Sequence, residues 1–307
     1  MLASSMTRHA WIQFAKEVRA AWQRLWPNLP GPKAQITAPR PGRVGEPRQH
    51  PDHPHRPHTP IRAWSMVEGL DPATPWAREL AAHYADSASF PGSISPQAGM
   101  LLHALTLNQQ PKVAVEVGSF LGASTLWIAS ALESNALNPT ALNPNATVHA
   151  VDRFALSRRF AARRPDVPRD IEAAFRQRLS RANLTDRVKV HVGDSPRLLA
   201  NLRRELLGQG GVDLAFIDGD HTIPGVVRDF WAIEPALAPG ALVVFHDTEP
   251  SSGHEGPRFL IDALRKGALG AGGLGAGGLS AGSRFEITEL PIAPLDFGIA
   301  IARKLES

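Results

Sequence analysis

The sequence predicts an α/β fold: a mostly parallel sheet covered by helices on both faces, with a C-terminal antiparallel hairpin at one edge. Three observations carry this. From about residue 94 onward, apolar runs of strand length alternate with segments of helical periodicity, the pattern of a parallel sheet with helical crossovers. Five of these runs end on an acid or a histidine. The last two runs, "RFEITEL" (284–290) and "FGIAIAR" (297–303), have only a Pro-rich turn between them and so pair as a hairpin.

The elements follow in order. "SISPQAGMLLHALTL" (94–107) opens on Ser-Pro and continues with apolar periodicity, which predicts a helix over 96–107. A strand at 112–117 leads through two glycines to a helix at 122–133. "ALNPTALNPN" (136–145) repeats Ala-Leu-Asn-Pro and reads as a surface loop. Then come a strand at 147–151, a helix at 169–182, a strand at 187–192 and a helix at 195–207. A strand at 212–217, a helix at 223–237 and a strand at 240–246 complete the alternation. "GALGAGGLGAGGLSAG" (267–282) is too glycine-rich to favour a fixed element.

The chain has 307 residues, 43% of them hydrophobic, enough for one domain with extensions. It has no cysteine, which excludes disulfides, thiolate metal sites and cysteine nucleophiles. No apolar run reaches the ~20 residues of a membrane span, and the N-terminus lacks the apolar core of a secretory signal, so the expected compartment is the cytoplasm. Residues 1–60 hold nine Lys/Arg and three acids, a net +6; the whole chain is +4, so the remainder carries −2. A nucleic-acid partner would have to bind the leader alone, and none is expected.

Within that leader, residues 1–26 contain an amphipathic helix. Trp11, Phe14, Val18, Trp22 and Leu25 recur at helical spacing over 7–26, among Arg8, Lys16, Arg19 and Arg24. Pro27 and Pro30 end it. Such a helix suits docking on a surface, on its own domain or in a homo-oligomer. Residues 27–60 read as an extended or disordered Pro/His-rich linker ending in "HPDHPHRPHTP". Its histidines are read as spacer in preference to metal ligands. The catalytic or binding domain is expected over 61–307.

In an open parallel sheet, ligands bind beyond the carboxyl ends of the strands, where strand order reverses. The polar residues of interest fall at those ends: Glu116 after the first strand, Asp152 after the second, Asp194 after the third. Asp218, Asp220 and His221 follow the fourth, and His246 and Asp247 the fifth. Each alone suits a helix cap; together they indicate a cleft. Glu116 precedes a Gly118–Gly122 pair, which differs from the Gly-x-Gly-x-x-Gly of dinucleotide binders. Gly118 allows a sharp turn, and Gly122 removes a side chain where a ligand would press. An acid at 116 opposes a pyrophosphate and suits a cationic or amine-bearing ligand. Asp152 has the position to take two ribose hydroxyls.

"VAVEVGSFLGAST", "VHAVDRF", "VKVHVGDSP", "VDLAFIDGDHT" and "PGALVVFHDT" occur in the order and spacing of a known family. Over about residues 90–303 the chain resembles class I S-adenosylmethionine-dependent methyltransferases, in the small-molecule O-methyltransferase branch with "IDGDH" and "HDT" motifs. The resemblance implies a Rossmann-like seven-stranded sheet and S-adenosylmethionine as cofactor. It implies that Glu116, Gly118, Ser119 and Gly122 lie along the amino-acid part of the cofactor, and that Asp152 holds the ribose. It places Asp194 and Ser195 at the adenine, Asp218 where donor and acceptor meet, and Gln97 as a closing residue. Related enzymes hold a divalent cation, magnesium or manganese, at positions matching Asp218, His246 and Asp247; the histidine departs from their all-oxygen set and favours manganese, iron or zinc.

Catalysis is expected from Asp218, His221 and His246, with His221 as base because it lies three residues after Asp218 and titrates near neutral pH. His221 also reads as a cap of the following helix. His254, in a Ser/Gly-rich loop, is a candidate for a lid. The acceptor is expected to be a small hydroxyl-bearing molecule, a sugar or natural product. Two other classes stay open: a cofactor-binding module without catalysis that acts through a partner, and a nicotinamide-dependent oxidoreductase, against which Glu116 and the glycine spacing argue. A nucleic-acid methyltransferase lacks support, since no "NPPY" follows the fourth strand.

Overall fold

The central strand segments, "VAVEV", "VDLAFI" and "ALVVFH", are rich in β-branched and apolar residues and nearly free of charge, so they fold as buried strands, whereas the edge segments "VKVHV" and "FEITEL" carry charges and exposed positions. In the computed structural model, which describes residues 70–156, 158–249, 254–265, 285–290 and 297–305, they form one seven-stranded sheet. The strands are β1 (Val113–Val117), β2 (Thr147–Asp152), β3 (Val188–Val192), β4 (Val212–Ile217), β5 (Leu237–His246), β6 (Phe285–Leu290) and β7 (Ile299–Lys304). Their order is β3-β2-β1-β4-β5-β7-β6. The first five run parallel; β7 pairs antiparallel with both β5 and β6. The expected hairpin is present at one edge, with β7 inserted between β5 and β6.

The helices are α1 (Pro75–Ala85), α2 (Pro96–Gln109), α3 (Ala123–Ala136), α4 (Arg158–Arg163), α5 (Ile171–Arg181), α6 (Ser195–Gly208), α7 (Ile223–Ile233) and α8 (Glu255–Arg265). Local chemistry sets their starts. Ser95 Oγ accepts from Ala98 N at 3.1 Å, Asp170 Oδ1 from Ala173 N at 2.9 Å and Thr222 Oγ1 from Gly225 N at 3.1 Å. Strand alternation sorts the core into two layers. Ala114, Val148, Ala150, Leu214, Phe216 and Val244 face a layer built with α1, α2, α3 and α5. Their neighbours Val115, Val151, Ala215, Val243 and Phe245 are equally buried, and Phe245 packs on Phe230 of α7 at 5.9 Å. Helices α6, α7 and α8 pack together.

Three helices differ from expectation: α1, α4 and α8 fall where the sequence pattern suggested none. The helix expected at 223–237 ends at Ile233; a short 3-10 turn, Glu234–Ala236, follows, and β5 begins at Leu237. Residues 137–145 form the expected surface loop, with Leu137 and Leu142 exposed. The helix expected at 7–26, the linker at 27–60 and the glycine-rich insert at 267–282 lie outside the described residues. Among the described residues no helix is long and apolar enough to cross a membrane.

Strand order reverses between β2-β1 and β4-β5, which puts the switch point beyond the carboxyl ends of β1 and β4. Backbone bonds lash these ends together: Asp218 N donates to Val117 O at 2.8 Å, Gly118 N to Val151 O at 3.0 Å and Gly193 N to Asp152 O at 2.8 Å.

Candidate active site

A cleft of about 650 Å³ opens at this switch point, within the size range of small-molecule sites. It is lined by residues 91–94, 117–120 and 151–156, by Gly193, Ser195 and residues 218–221, and by His246, Asp247, His254 and Phe297. Of the site residues expected from sequence, Gly118, Ser119, Asp152, Ser195, Asp218, His221, His246 and Asp247 line it. Gln97, Glu116, Gly122 and Asp194 do not.

The β1 loop explains two of those exceptions. Glu116 shares the face of Ala114 and points into the helix layer. It is fully buried, accepts from Ser119 Oγ at 2.8 Å and pairs closely with Thr125 Oγ1. Burial pushes its carboxyl up to about 7, against the opposing pull of the Ser124, Thr125 and Ser119 hydroxyls. It is therefore the floor beneath the loop and does not face the cleft as the expected contact for a cationic ligand. Gly122 has φ +92, and a Cβ there would meet Phe175 at 3.0 Å, so the backbone angle and Phe175 behind it already call for glycine. Gly118 has φ +88 and a Cβ would stand 2.2 Å from Asp218 O, so glycine lets β1 turn directly against the end of β4.

Asp152 organises the same loop. Its Oδ2 accepts from Ser119 N at 2.7 Å and Phe120 N at 2.8 Å, and its Oδ1 from Phe154 N at 2.6 Å. A carboxylate offers about four acceptor positions. Three are used, so the expected grip on two ribose hydroxyls is reduced to one clear position. Asp194 stands half exposed, 3.5 Å from Arg153, while Gly193 and Ser195 on either side line the cleft. Gln97 is half-buried in α2, and its Oε1 has no hydrogen-bond partner among the described residues.

At the other end of the cleft the ends of β4 and β5 bring Asp218, His221, His246 and Asp247 together. Asp218 Oδ1 lies 3.1 Å from both His221 Nε2 and His246 Nδ1. His221 Nε2 is also 3.2 Å from Asp247 Oδ2, and His246 Nδ1 is 3.3 Å from Asp247 Oδ1. Burial alone would raise the Asp218 pKa, but the charge of His246 and the hydrogen bonds from both histidines hold it well below the usual carboxylate range. Burial draws His221 down, and the hydrogen bond and charge of Asp218, joined by Asp247, more than reverse this. The helix-cap reading of His221 does not hold: Thr222 caps α7. Ligand atoms of Asp218, His246 and Asp247 all lie within 4.8 Å of one another, the donor set expected for a divalent cation.

Sequence reasoning missed two parts of the site. Asp229, on α7, is buried among apolar neighbours, accepts from Ser195 Oγ at 2.6 Å, and is pushed up by burial to about 6. Its signal was an acid on the apolar side of "VVRDFWAI". The second part is the wall at 91–94. Buried Arg178 donates to His83 Nδ1 at 2.7 Å, Asp86 Oδ2 at 2.9 Å and Ser89 Oγ at 2.7 Å. Burial, then the Arg178 charge, pulls His83 down to about 3, so it stays neutral. Its Nε2 is thus free to donate to Ser93 Oγ at 2.9 Å, on the cleft wall. No short motif announces this network.

Residues 115–248 match the family described as "Methyltransferase domain". A catechol O-methyltransferase of Niastella koreensis is 30% identical over 153 residues, 50% of this chain and 56% of that protein. The chain thus matches little more than half the length of this curated relative. Among solved structures, the O-methyltransferase TomG of Streptomyces achromogenes, involved in tomaymycin synthesis and in complex with SAM, is 21% identical with a TM-score of 0.54, covering 77% of this chain and 91% of that one. An O-methyltransferase of Bacillus cereus in complex with SAH is 20% identical with a TM-score of 0.52, covering 78% and 94%. At these identities the structures establish the fold.

Proposed function

We propose that residues 115–248, which match the family described as "Methyltransferase domain", work as a class I S-adenosylmethionine-dependent methyltransferase, and that the chain is a cytoplasmic enzyme that O-methylates a small hydroxyl-bearing molecule, a sugar or natural product. The observation that carries the reading is the meeting, in one cleft, of a loop-lined half at β1 and β2 with an Asp/His cluster at β4 and β5.

The first half suits S-adenosylmethionine. The uncapped start of α3 offers backbone N–H groups to an amino acid's carboxylate, while the hydroxyls of Ser119 and Ser124 are turned to Glu116 beneath it. Asp152 holds the loop and keeps one acceptor position for a ribose hydroxyl. Apolar Phe154 and Leu156, with Ser195, suit a purine. S-adenosylmethionine supplies a methyl group already activated on a sulfonium. The chain's task is then alignment and removal of one proton.

His221 takes that proton. Its Nε2–H donates toward Asp218 and Asp247, which leaves Nδ1 as the basic atom. Asp218 fixes the ring and stabilises the imidazolium, and His246, bonded to the same oxygen, fixes Asp218. Asp218, His246 and Asp247 would hold a divalent cation, manganese fitting the nitrogen donor better than magnesium. Bound there, it lowers the pKa of an acceptor hydroxyl.

Calorimetric titration with S-adenosylmethionine and S-adenosylhomocysteine, followed by a screen of catechol and sugar hydroxyls read as a methyl mass gain, tests this. Tight cofactor binding with no turnover on any acceptor favours the binding-module alternative. Affinity for NAD without affinity for S-adenosylhomocysteine refutes both.

A further inference from the structure

We propose that His221, Asp247 and His254 form an inhibitory site for zinc or a similar borderline divalent cation, distinct from the Asp218–His246–Asp247 position. The inhibition rests on the reading of His221 as base; the binding does not.

The geometry centres on the two oxygens of Asp247. Its Oδ1 faces His246 Nδ1 at 3.3 Å. Its Oδ2 faces away from that pair, toward His221 Nε2 at 3.2 Å and His254 Nδ1 at 2.6 Å. One carboxylate oxygen therefore meets two imidazole nitrogens that come from different elements, the β4 end and the start of α8. The three ligand atoms lie within 4.8 Å of one another.

Zinc with bonds of about 2.0–2.2 Å in tetrahedral geometry keeps its ligand atoms about 3.4 Å apart. The His221 contact already meets this. The His254 contact needs to open by under ~1 Å, and the side chain, 36% exposed, has the freedom to do so. The two rings stack at 4.3 Å and 15°, so they reach Asp247 side by side. All three residues line the cleft, which gives an entry path and leaves a fourth position open. Two nitrogens and one carboxylate oxygen suit zinc or cobalt and not magnesium, which prefers oxygens.

Occupation has a defined consequence. An ion on His221 Nε2 forces the neutral ring to carry its proton on Nδ1. The atom assigned as base is then protonated and the acceptor proton has nowhere to go. Zinc here competes with catalysis, whereas a cation on Asp218, His246 and Asp247 leaves His221 alone.

The test uses the full chain stripped of metal. Zinc is titrated against a chromophoric chelator, and cobalt(II) is read by its visible absorption. The variants are His254→Ala and His254→Phe, the second keeping the ring on His221 without a ligand atom; thermal melting checks that each folds. Both are expected to lose one tightly bound zinc, or more than about 100-fold in its affinity, beyond what a weakened supporting contact alone costs, while Asp218→Asn keeps it. Zinc should inhibit methyl transfer by the wild type and not by His254→Phe. Unchanged zinc binding in both His254 variants overturns the site, and loss in Asp218→Asn overturns its separateness. Should no acceptor be turned over, the proposed function fails while the zinc titration still decides the site.

Discussion

Replacing Glu116 by Gln tests whether this acid is a buried floor or a charged contact for ligand. Its carboxyl moves from an ordinary 4.5 to about 7 because it is fully buried and its hydroxyl partners do not compensate. Between these values the folded state keeps a proton that the unfolded chain has lost. Stability contributed by this group is therefore present in full below about pH 4.5 and is lost as pH rises through about 7. A shift of this size corresponds to about 3 kcal/mol in all, of which about 2–3 kcal/mol falls between pH 5 and pH 8. Gln cannot ionise and fits the same space, accepting from Ser119 and Thr125 through its oxygen. Urea denaturation of both proteins at pH 5 and pH 8 isolates the group, since every other titrating residue is common to the two and cancels in the difference. The variant should gain about 2–3 kcal/mol relative to wild type on going from pH 5 to pH 8. A difference that does not change with pH would refute the assignment of Glu116 as a buried, proton-holding residue.

Asp152→Ala removes the acceptor of three backbone N–H groups and should weaken S-adenosylhomocysteine binding by about 2–4 kcal/mol in calorimetry; unchanged affinity would remove Asp152 from the site. Arg178→Met leaves Ser89 and the partly exposed Asp86 without their charged donor and should cost about 1–3 kcal/mol in urea denaturation, an unchanged stability showing that the network carries little. Asp247→Ala should abolish tight manganese binding and slow methyl transfer, whereas a chelator that leaves the wild-type rate intact would retire the cation and keep His221. A chain starting at Ile61 should fold and bind S-adenosylhomocysteine like the full protein, and aggregation would make residues 1–60 part of the core or of a subunit contact.

The fold was legible because two periods alternate along the sequence, and each is dictated by burial. "VAVEV", "VDLAFI" and "ALVVFH" sit at the sheet's centre, buried on both faces, so their runs are continuous and bounded by turn residues. What stayed hidden lies outside that alternation. α1 precedes the first strand. α8, "EGPRFLIDALR", carries Gly-Pro in its first turn, where proline is tolerated but reads as a loop. In the site, position was legible and role was not. The strand-end acids do gather at one cleft, but Glu116 lies one residue before the strand's last, on the face that α3 covers. Parity along the strand, Ala114 and Glu116 on one face and Val115 and Val117 on the other, carries that information. Asp229 and the Arg178 network depend on which helix packs where, and no local spacing reports that.

The convergence of His246 and Asp247 on one cluster is itself a departure from strand geometry. Successive strand residues point to opposite faces, so a plain continuation of β5 would send one of the two away from Asp218. Asp247 instead has φ +56, left-handed backbone that aspartate tolerates better than most residues. The chain turns at once after His246, and Glu249 N donates to Phe297 O at 2.8 Å, which pins the turned segment beside the end of β7. This break in alternation puts neighbouring side chains on the same group and divides the two oxygens of Asp247 between His246 on one side and His221 and His254 on the other. A β-branched residue at 247 would lose the carboxylate and also oppose the backbone angle that brings the two chain segments together. The His-Asp pair is therefore placed as one unit: the backbone angle at Asp247 sets where both side chains stand against Asp218 and His221.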